Sequence, residues 1–220
     1  ISIRLVGSEM CIRDRPDIGQ TLLVIFCWAV LIFTSGINIY ILLAIFIAGA
    51  SLLAYLIIYV PKFDYIQGRI FSFFNRETGT HNFQSDKAIE SITSGGFFGK
   101  GIGEGVLKNR VPEAHTDYII SVISEEFGVV AIMLILLLFL ILIYMVFKKI
   151  SFETNDKVKL ILIGSISLIL MQATIHVGVN IRLFPTTGMT LPFLSYGGSS
   201  IISTSILGGI ILNLTKRKIT

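Results

Sequence analysis

Pro112-Glu113-Ala114-His115-Thr116-Asp117 leads almost directly into an apolar run that begins at Phe127. A carboxylate, an imidazole and a hydroxyl at a water–lipid boundary suit chemistry on a lipid-borne substrate. Asp117 is the candidate general base, because a carboxylate from which substrate excludes water becomes a better proton acceptor. Glu113, His115 and Thr116 are its candidate substrate-binding neighbours. At about 100° per residue, Asp117, Ser121, Ser124, Glu125 and Gly128 share one helix face, a polar stripe running inward from the boundary. The plainer reading keeps Thr116 or Asp117 as a helix N-cap, with Glu125 and Glu126 in the headgroup zone.

A second set lies further along. Gln172, His176 and Asn180 recur every four residues and stack on one helix face, with Arg182 just beyond. Intramembrane polar side chains face a bundle interior or a wet cavity. Interhelical hydrogen bonding accounts equally well for Gln172 and Asn180, and His176 reads also as a satisfied core histidine. No Cys or carboxylate spacing marks a metal site, and none is assigned. Arg182 is a fixed cation where an anionic headgroup would arrive. Lys100 and Arg110, on the loop before Asp117, are the other candidate cations.

The elements that must position these residues are membrane helices. Hydrophobic residues make up 53% of the 220-residue chain and charged residues 15%, with a mean hydropathy of +0.81. The apolar residues come in blocks: Ile18–Ser35, Ile39–Val60, Phe127–Phe147, Leu160–Asn180 and Pro192–Leu214. Each spans, or nearly spans, a hydrocarbon core of about 30 Å as a helix, and lipid leaves helices as the way to satisfy the backbone. The expected class is all-α and polytopic. Residues 16–60 supply two spans, 61–117 a long loop, and 118–220 three spans with a short connector and a basic tail.

Charge orients the bundle. Lys148, Lys149, Lys157 and Lys159 lie in one short connector, and Lys216, Arg217 and Lys218 in the tail. Both segments are expected on the cytoplasmic side, which puts the long loop on the outer face. The net charge of +4 thus reports topology, and no basic, aromatic-interleaved surface points to nucleic acid. Residues 1–15 lack capping logic and signal-peptide order and are read as a non-native leader, or else an outer loop. Cys11 lies in that segment and Cys27 in the first helix, so no disulfide follows.

Within the long loop, Gln84–Thr93 fits a short amphipathic helix with Ala88, Ile89 and Ile92 on one side. The glycine-dense segment Ser94–Gly105 follows. It is not a phosphate loop, since Gly99-Lys100 precedes Gly101 rather than Ser or Thr. Two readings stand: a shaped loop bordering a substrate groove, or a flexible connector. Leu191–Ser200 starts the last helix with Pro192 and small residues, a close-packing pattern.

Pro112–Asp117 followed by Tyr118–Gly128 resembles the signature of the SEDS family (shape, elongation, division and sporulation proteins). Thr190–Ser200 resembles its second hallmark and Pro16-Asp17-Ile18-Gly19 a third, so the likeness covers Pro16 to Arg217. The details are closer to the cell-division branch than to the elongation branch. The resemblance implies the C-terminal half of a ten-helix bundle in the bacterial inner membrane. Its active face would be periplasmic and its C-terminus cytoplasmic. It implies a glycosyltransferase that polymerises lipid II into glycan strands, with a class B penicillin-binding protein and other division proteins as partners. The family's essential carboxylate falls on Asp117. One departure is Thr187, in Pro185-Thr186-Thr187-Gly188, where many division members carry Lys; Arg182 is the candidate substitute. A leaving diphosphate needs Arg182, Lys100, Arg110 or a divalent cation (Mg2+ or Mn2+) for its charge. A lipid II flippase and a non-enzymatic scaffold that activates a penicillin-binding protein are the competing classes.

Overall fold

A computed structural model describes residues 18–60, 68, 80–105 and 115–216. The leader, Glu113, Arg110, Cys11 and the end of the basic tail lie outside them. Every regular element among the described residues is a helix: α1 (Ile18–Thr34), α2 (Ile39–Tyr59), α3 (Thr80–Gly95), α4 (Ile119–Phe152), α5 (Asp156–Asn180) and α6 (Gly198–Thr215). Four of these, α2, α4, α5 and α6, are long and apolar enough to cross a membrane. The fifth apolar segment, α1, has 17 residues, about 26 Å at 1.5 Å per residue, and falls short on length alone.

α5 is the hub. It packs against α1, α3, α4 and α6, whereas α2 touches only α1 and buries none of its residues. Val146 of α4, Leu162, Ile166 and Ile169 of α5 and Ile211 of α6 form one core cluster. A second, near Asp117, joins Leu23, Ala88, Tyr118, Val122, Ile175, Val179 and Met189. In lipid such clusters gain from close packing rather than from leaving water. The α1–α5 seam shows this: the Cys27 thiol, free and buried, lies 3.8 Å from the Gly164 carbonyl, and Ser167 bonds to its sulfur at 3.6 Å. In the basic connector, the Asn155 side chain caps α5 by accepting from the Lys157 amide at 3.0 Å.

The last apolar segment begins later than the sequence pattern predicts. Helix α6 starts at Gly198, not at Pro192, because residues 191–195 close their own turn. The Ser195 amide donates to the Leu191 carbonyl at 3.1 Å, the Leu191 amide donates to Ser195 Oγ at 2.8 Å, and Phe193 has φ +66°, which a helix cannot propagate.

α4 contains the fold's main irregularity. Gly128 has φ +80° and ψ −178° inside it. In an unbroken helix the amides of Val129 and Val130 would reach the carbonyls of Glu125 and Glu126. Here Val129 donates to Gly96 O at 3.0 Å and Val130 to Phe97 O at 3.4 Å. The two released carbonyls accept from Lys100 N at 2.9 Å and Gly101 N at 3.1 Å. The glycine-dense loop is thus spliced into the helix ladder and leaves those four backbone groups paired, as a low-dielectric setting requires. Such contact is possible only without side chains. A Cβ on Gly95 would stand 1.9 Å from Ser124 O, and one on Gly128 2.2 Å from Phe97 O. The segment is therefore a packed insert rather than a plain connector.

Gly128→Ala combines this clash with an unfavourable φ and is expected to cost about 2–4 kcal/mol. Gly209→Ala on α6, where a Cβ meets nothing within 4 Å, is expected to be neutral or to gain up to about 1 kcal/mol. Thermal melts of the detergent-solubilised protein compare the two; equal midpoints would show that the splice is dispensable.

Candidate functional site

Asp117 lies in the turn His115–Tyr118, just before α4. Tyr118, not Thr116 or Asp117, occupies the helix N-cap position. Because the turn is not helical, Asp117 does not continue the stripe formed by Ser121, Ser124, Glu125 and Gly128. It is half-buried. Its backbone carbonyl accepts from Asn180 Nδ2 at 3.1 Å, and its carboxylate Oδ2 lies 3.6 Å from where a Cβ on Gly188 would stand. The start of α4, the end of α5 and the Gly188 turn converge on this one residue.

The end of α5 is held in turn. Asn180 Nδ2 also donates to His176 O at 2.9 Å, and His176 Nδ1 meets Met189 O at 2.7 Å. A carbonyl can only accept, so Nδ1 carries the proton, and in the neutral ring Nε2 presents a lone pair. His176 Nε2, Asn180 Oδ1 and Thr187 Oγ1 are buried with no hydrogen-bond partner among the described residues. Buried polar atoms are nearly always paired, so three such atoms around one turn set this region apart from the rest of the bundle. Thr187 and Met189 also abut α1, standing 3.0 and 2.9 Å from a Cβ placed on Gly19.

The polar stripe has a different task. Ser121, Ser124 and Glu125 are fully buried because α3 docks on them. Ser91 Oγ lies 3.1 Å from Glu125 Oε2 and 3.3 Å from Ser121 O, and Ser124 Oγ donates to Ile92 O at 3.3 Å. The Ser121 hydroxyl bonds to Tyr118 O at 2.7 Å. Ser121, whose place on the polar face made it a candidate substrate contact, lies in a helix–helix seam. Gln172 is similarly occupied, its amide nitrogen within 2.9 Å of Thr190 O and 3.2 Å of Ser200 Oγ. It ties α5 to the start of α6 and does not join Asp117. Of the two explanations open for Gln172, interhelical bonding is the one observed.

The two candidate cations among the described residues, Lys100 and Arg182, are engaged as well. Lys100 Nζ lies 3.5 Å from Glu125 Oε1, beside a carboxylate with no solvent exposure. Arg182, at φ +58°, forms an ion pair with Asp86 of α3 and so fastens the C-terminal end of α5 to the docked helix. His115 is exposed, its carbonyl accepting from Tyr196 N at 3.0 Å; Thr116 is half-buried. Among the described residues no group of three or more His, Cys, Asp or Glu side chains could hold a metal ion. Asp117 alone does not make a resident metal cage.

Sequence reasoning missed Asp86, Ser91 and Gly188. Ser91 and Asp86 sit on a short helix read only for its Ala88, Ile89 and Ile92 face, and a serine carries no hydropathy signal. Gly188 was visible as a turn residue, but nothing local linked it to a residue 71 positions earlier.

A family model described as the cell cycle proteins FtsW, RodA and SpoVE matches residues 5–219. The chain is 35% identical over 93% of its length to a protein of Caulobacter vibrioides named probable peptidoglycan glycosyltransferase FtsW, covering 51% of that protein. It is 32% identical to the protein of the same name from Enterococcus hirae, over all of this chain and 59% of the relative. It is 33% identical to stage V sporulation protein E of Bacillus subtilis, over 96% and 57%. The chain therefore spans about half the length of the curated relatives it matches. A solved chain from a study of how a peptidoglycan synthase complex coordinates polymerization and crosslinking superposes with a TM-score of 0.73. It is 27% identical, and the match covers 91% of this chain and 56% of that one. With spanning helices, hallmark segments and relatives in agreement, the chain is a multi-pass membrane protein that belongs to the SEDS family of FtsW, RodA and SpoVE proteins.

Proposed function

We propose that the whole protein is a peptidoglycan glycosyltransferase that polymerises lipid II, with Asp117 as general base. The observation that carries this is a half-buried carboxylate at the mouth of a membrane bundle. The residue's backbone carbonyl is held by Asn180 and its carboxylate faces Gly188, in a chain whose relatives bear that name. Asp117 takes the proton from the acceptor sugar's 4-hydroxyl. That oxygen forms a bond to the donor's anomeric carbon, with inversion, while the bond to the lipid diphosphate breaks and the diphosphate leaves with the electron pair. One base suffices because the leaving group is already activated, in contrast to retaining glycosidases and their second carboxylate.

His176 Nε2 and Asn180 Oδ1 offer acceptors for substrate hydroxyl or amide protons. Arg182, only loosely committed as a partly exposed ion pair, can trade Asp86 for the diphosphate. A divalent ion could arrive on the substrate's phosphates, and no step here is routed through one. The relatives named FtsW favour the division branch, and the synthase-complex neighbour favours a class B penicillin-binding protein as partner. The site then faces the periplasm across the inner membrane, with the basic connector and tail cytoplasmic.

Asp117→Asn in the whole protein is expected to lower glycan synthesis from labelled lipid II at least about 100-fold with an unchanged melting temperature. Near-normal polymer would remove Asp117 from the chemistry. The same assay separates the rival classes, since a flippase moves lipid II without polymer and a scaffold does neither.

Arg182→Gln should reduce synthesis with little loss of stability. Lys100→Met should lower stability by about 2–3 kcal/mol, because it strands the buried Glu125 charge. Melting and activity measured side by side check this pair; a stable, inactive Lys100→Met protein would return Lys100 to the substrate.

A further inference from the structure

The insert spliced into α4 presents three large apolar side chains that stand exposed among the described residues. Phe97, Phe98 and Ile102 are 76%, 85% and 79% exposed, while the backbone between them is pinned by Lys100 N to Glu125 O and Gly101 N to Glu126 O. Two phenylalanines and an isoleucine held on a rigid tip are costly in water and point to an apolar occupant.

Their depth identifies it. Phe97 O accepts from Val130 N, so the tip sits level with the fourth turn of α4. From Phe127 to Phe147 that helix is apolar, about 31 Å at 1.5 Å per residue and close to the thickness of a hydrocarbon core. The level of Val130 is therefore the edge of the hydrocarbon. Phe127, Val130, Met133 and Leu134, on α4 at and below this level, are themselves exposed. Two polar groups of the insert are turned to α4: Lys100 at Glu125, and the Gly103 amide donating to Glu126 Oε1 at 3.2 Å. An apolar edge with polar backing at this depth is the arrangement of an interfacial membrane anchor.

We propose that Phe97, Phe98 and Ile102 insert into the acyl chains of the leaflet on the Asp117 side. The occupant is bilayer lipid. Through the four splice bonds the anchor fixes the depth of α4, and with it the height of the Asp117 turn above the hydrocarbon.

The test places the photo-crosslinking residue benzoylphenylalanine at position 98, and separately at 102, in the whole protein in native membranes. Adducts are identified by mass spectrometry. Leu134 on α4 serves as the lipid-facing reference and Asp156, in the basic connector, as the aqueous one. The expected result is phospholipid adducts at 98 and 102 in yields near that of position 134 and severalfold above that of position 156. Adducts mainly to a protein, the same chain or a partner, would overturn the proposal. So would no adduct at either tip position while position 134 reacts. Both substituted residues are exposed, so the fold does not depend on them, and the readout needs no glycan synthesis. Failure here would leave the catalytic reading untouched.

Discussion

The structure depends on keeping every backbone amide and carbonyl paired at the edge of a membrane. A helix can be interrupted there only if something replaces the lost rungs. In α4 the interruption is Gly128 and the replacement is the main chain of residues 96–101, which returns two donors and two acceptors to the ladder. Neither piece is stable in this form alone. The insert needs the helix ends to bond to, and the helix needs the insert to cover its break. The glycines are there because the two backbones pass closer than any Cβ permits.

This coupling explains how Glu125 can be fully buried. An unpaired carboxylate at that depth would be prohibitive, but Ser91 from α3 and Lys100 from the insert both reach it. A half-satisfied buried charge is worse than an apolar residue, so the three groups stand or fall together. They lock α3, the insert and the outer turns of α4 into one unit. Arg182 and Asp86 tie the same unit to α5. Asp117 lies at the edge of this unit rather than inside it, where a substrate can still approach.

Much of this was legible in the chain and some was not, for definite reasons. Blocks of apolar residues long enough to span lipid gave the helical class and nearly all the helix positions, because length and hydropathy are local properties. The start of α6 was placed six residues early, since a closed turn with positive φ at Phe193 looks just as apolar as a helix. The four-residue spacing of His176 and Asn180 correctly put both on one buried face. Ser121, Ser124 and Glu125 do share one buried face of α4, and α3 occupies it. Periodicity says which residues share a side, but not whether lipid, substrate or another helix will occupy it. Asp117 dropped out of that stripe because a nonhelical turn precedes α4, and capping rules do not locate such a turn to the residue.

The division of α4 at Gly128 has a consequence for the chemistry. Below the break the helix is an ordinary apolar span. Above it, Ile119–Phe127 is a short segment packed on α3 and carrying the Asp117 turn at its tip. A continuous helix would tie the height and tilt of that turn to the whole span, so that any tilt in the bilayer would move the carboxylate. With the ladder spliced, the upper segment takes its position from α3, from the end of α5 through Asn180, and from the insert. The acid is referenced to its neighbours rather than to the far end of its own helix. Under the function proposed above, that is the arrangement a base needs when its substrate is held by a lipid tail at fixed depth, because general-base catalysis tolerates little error in the distance to the proton it removes.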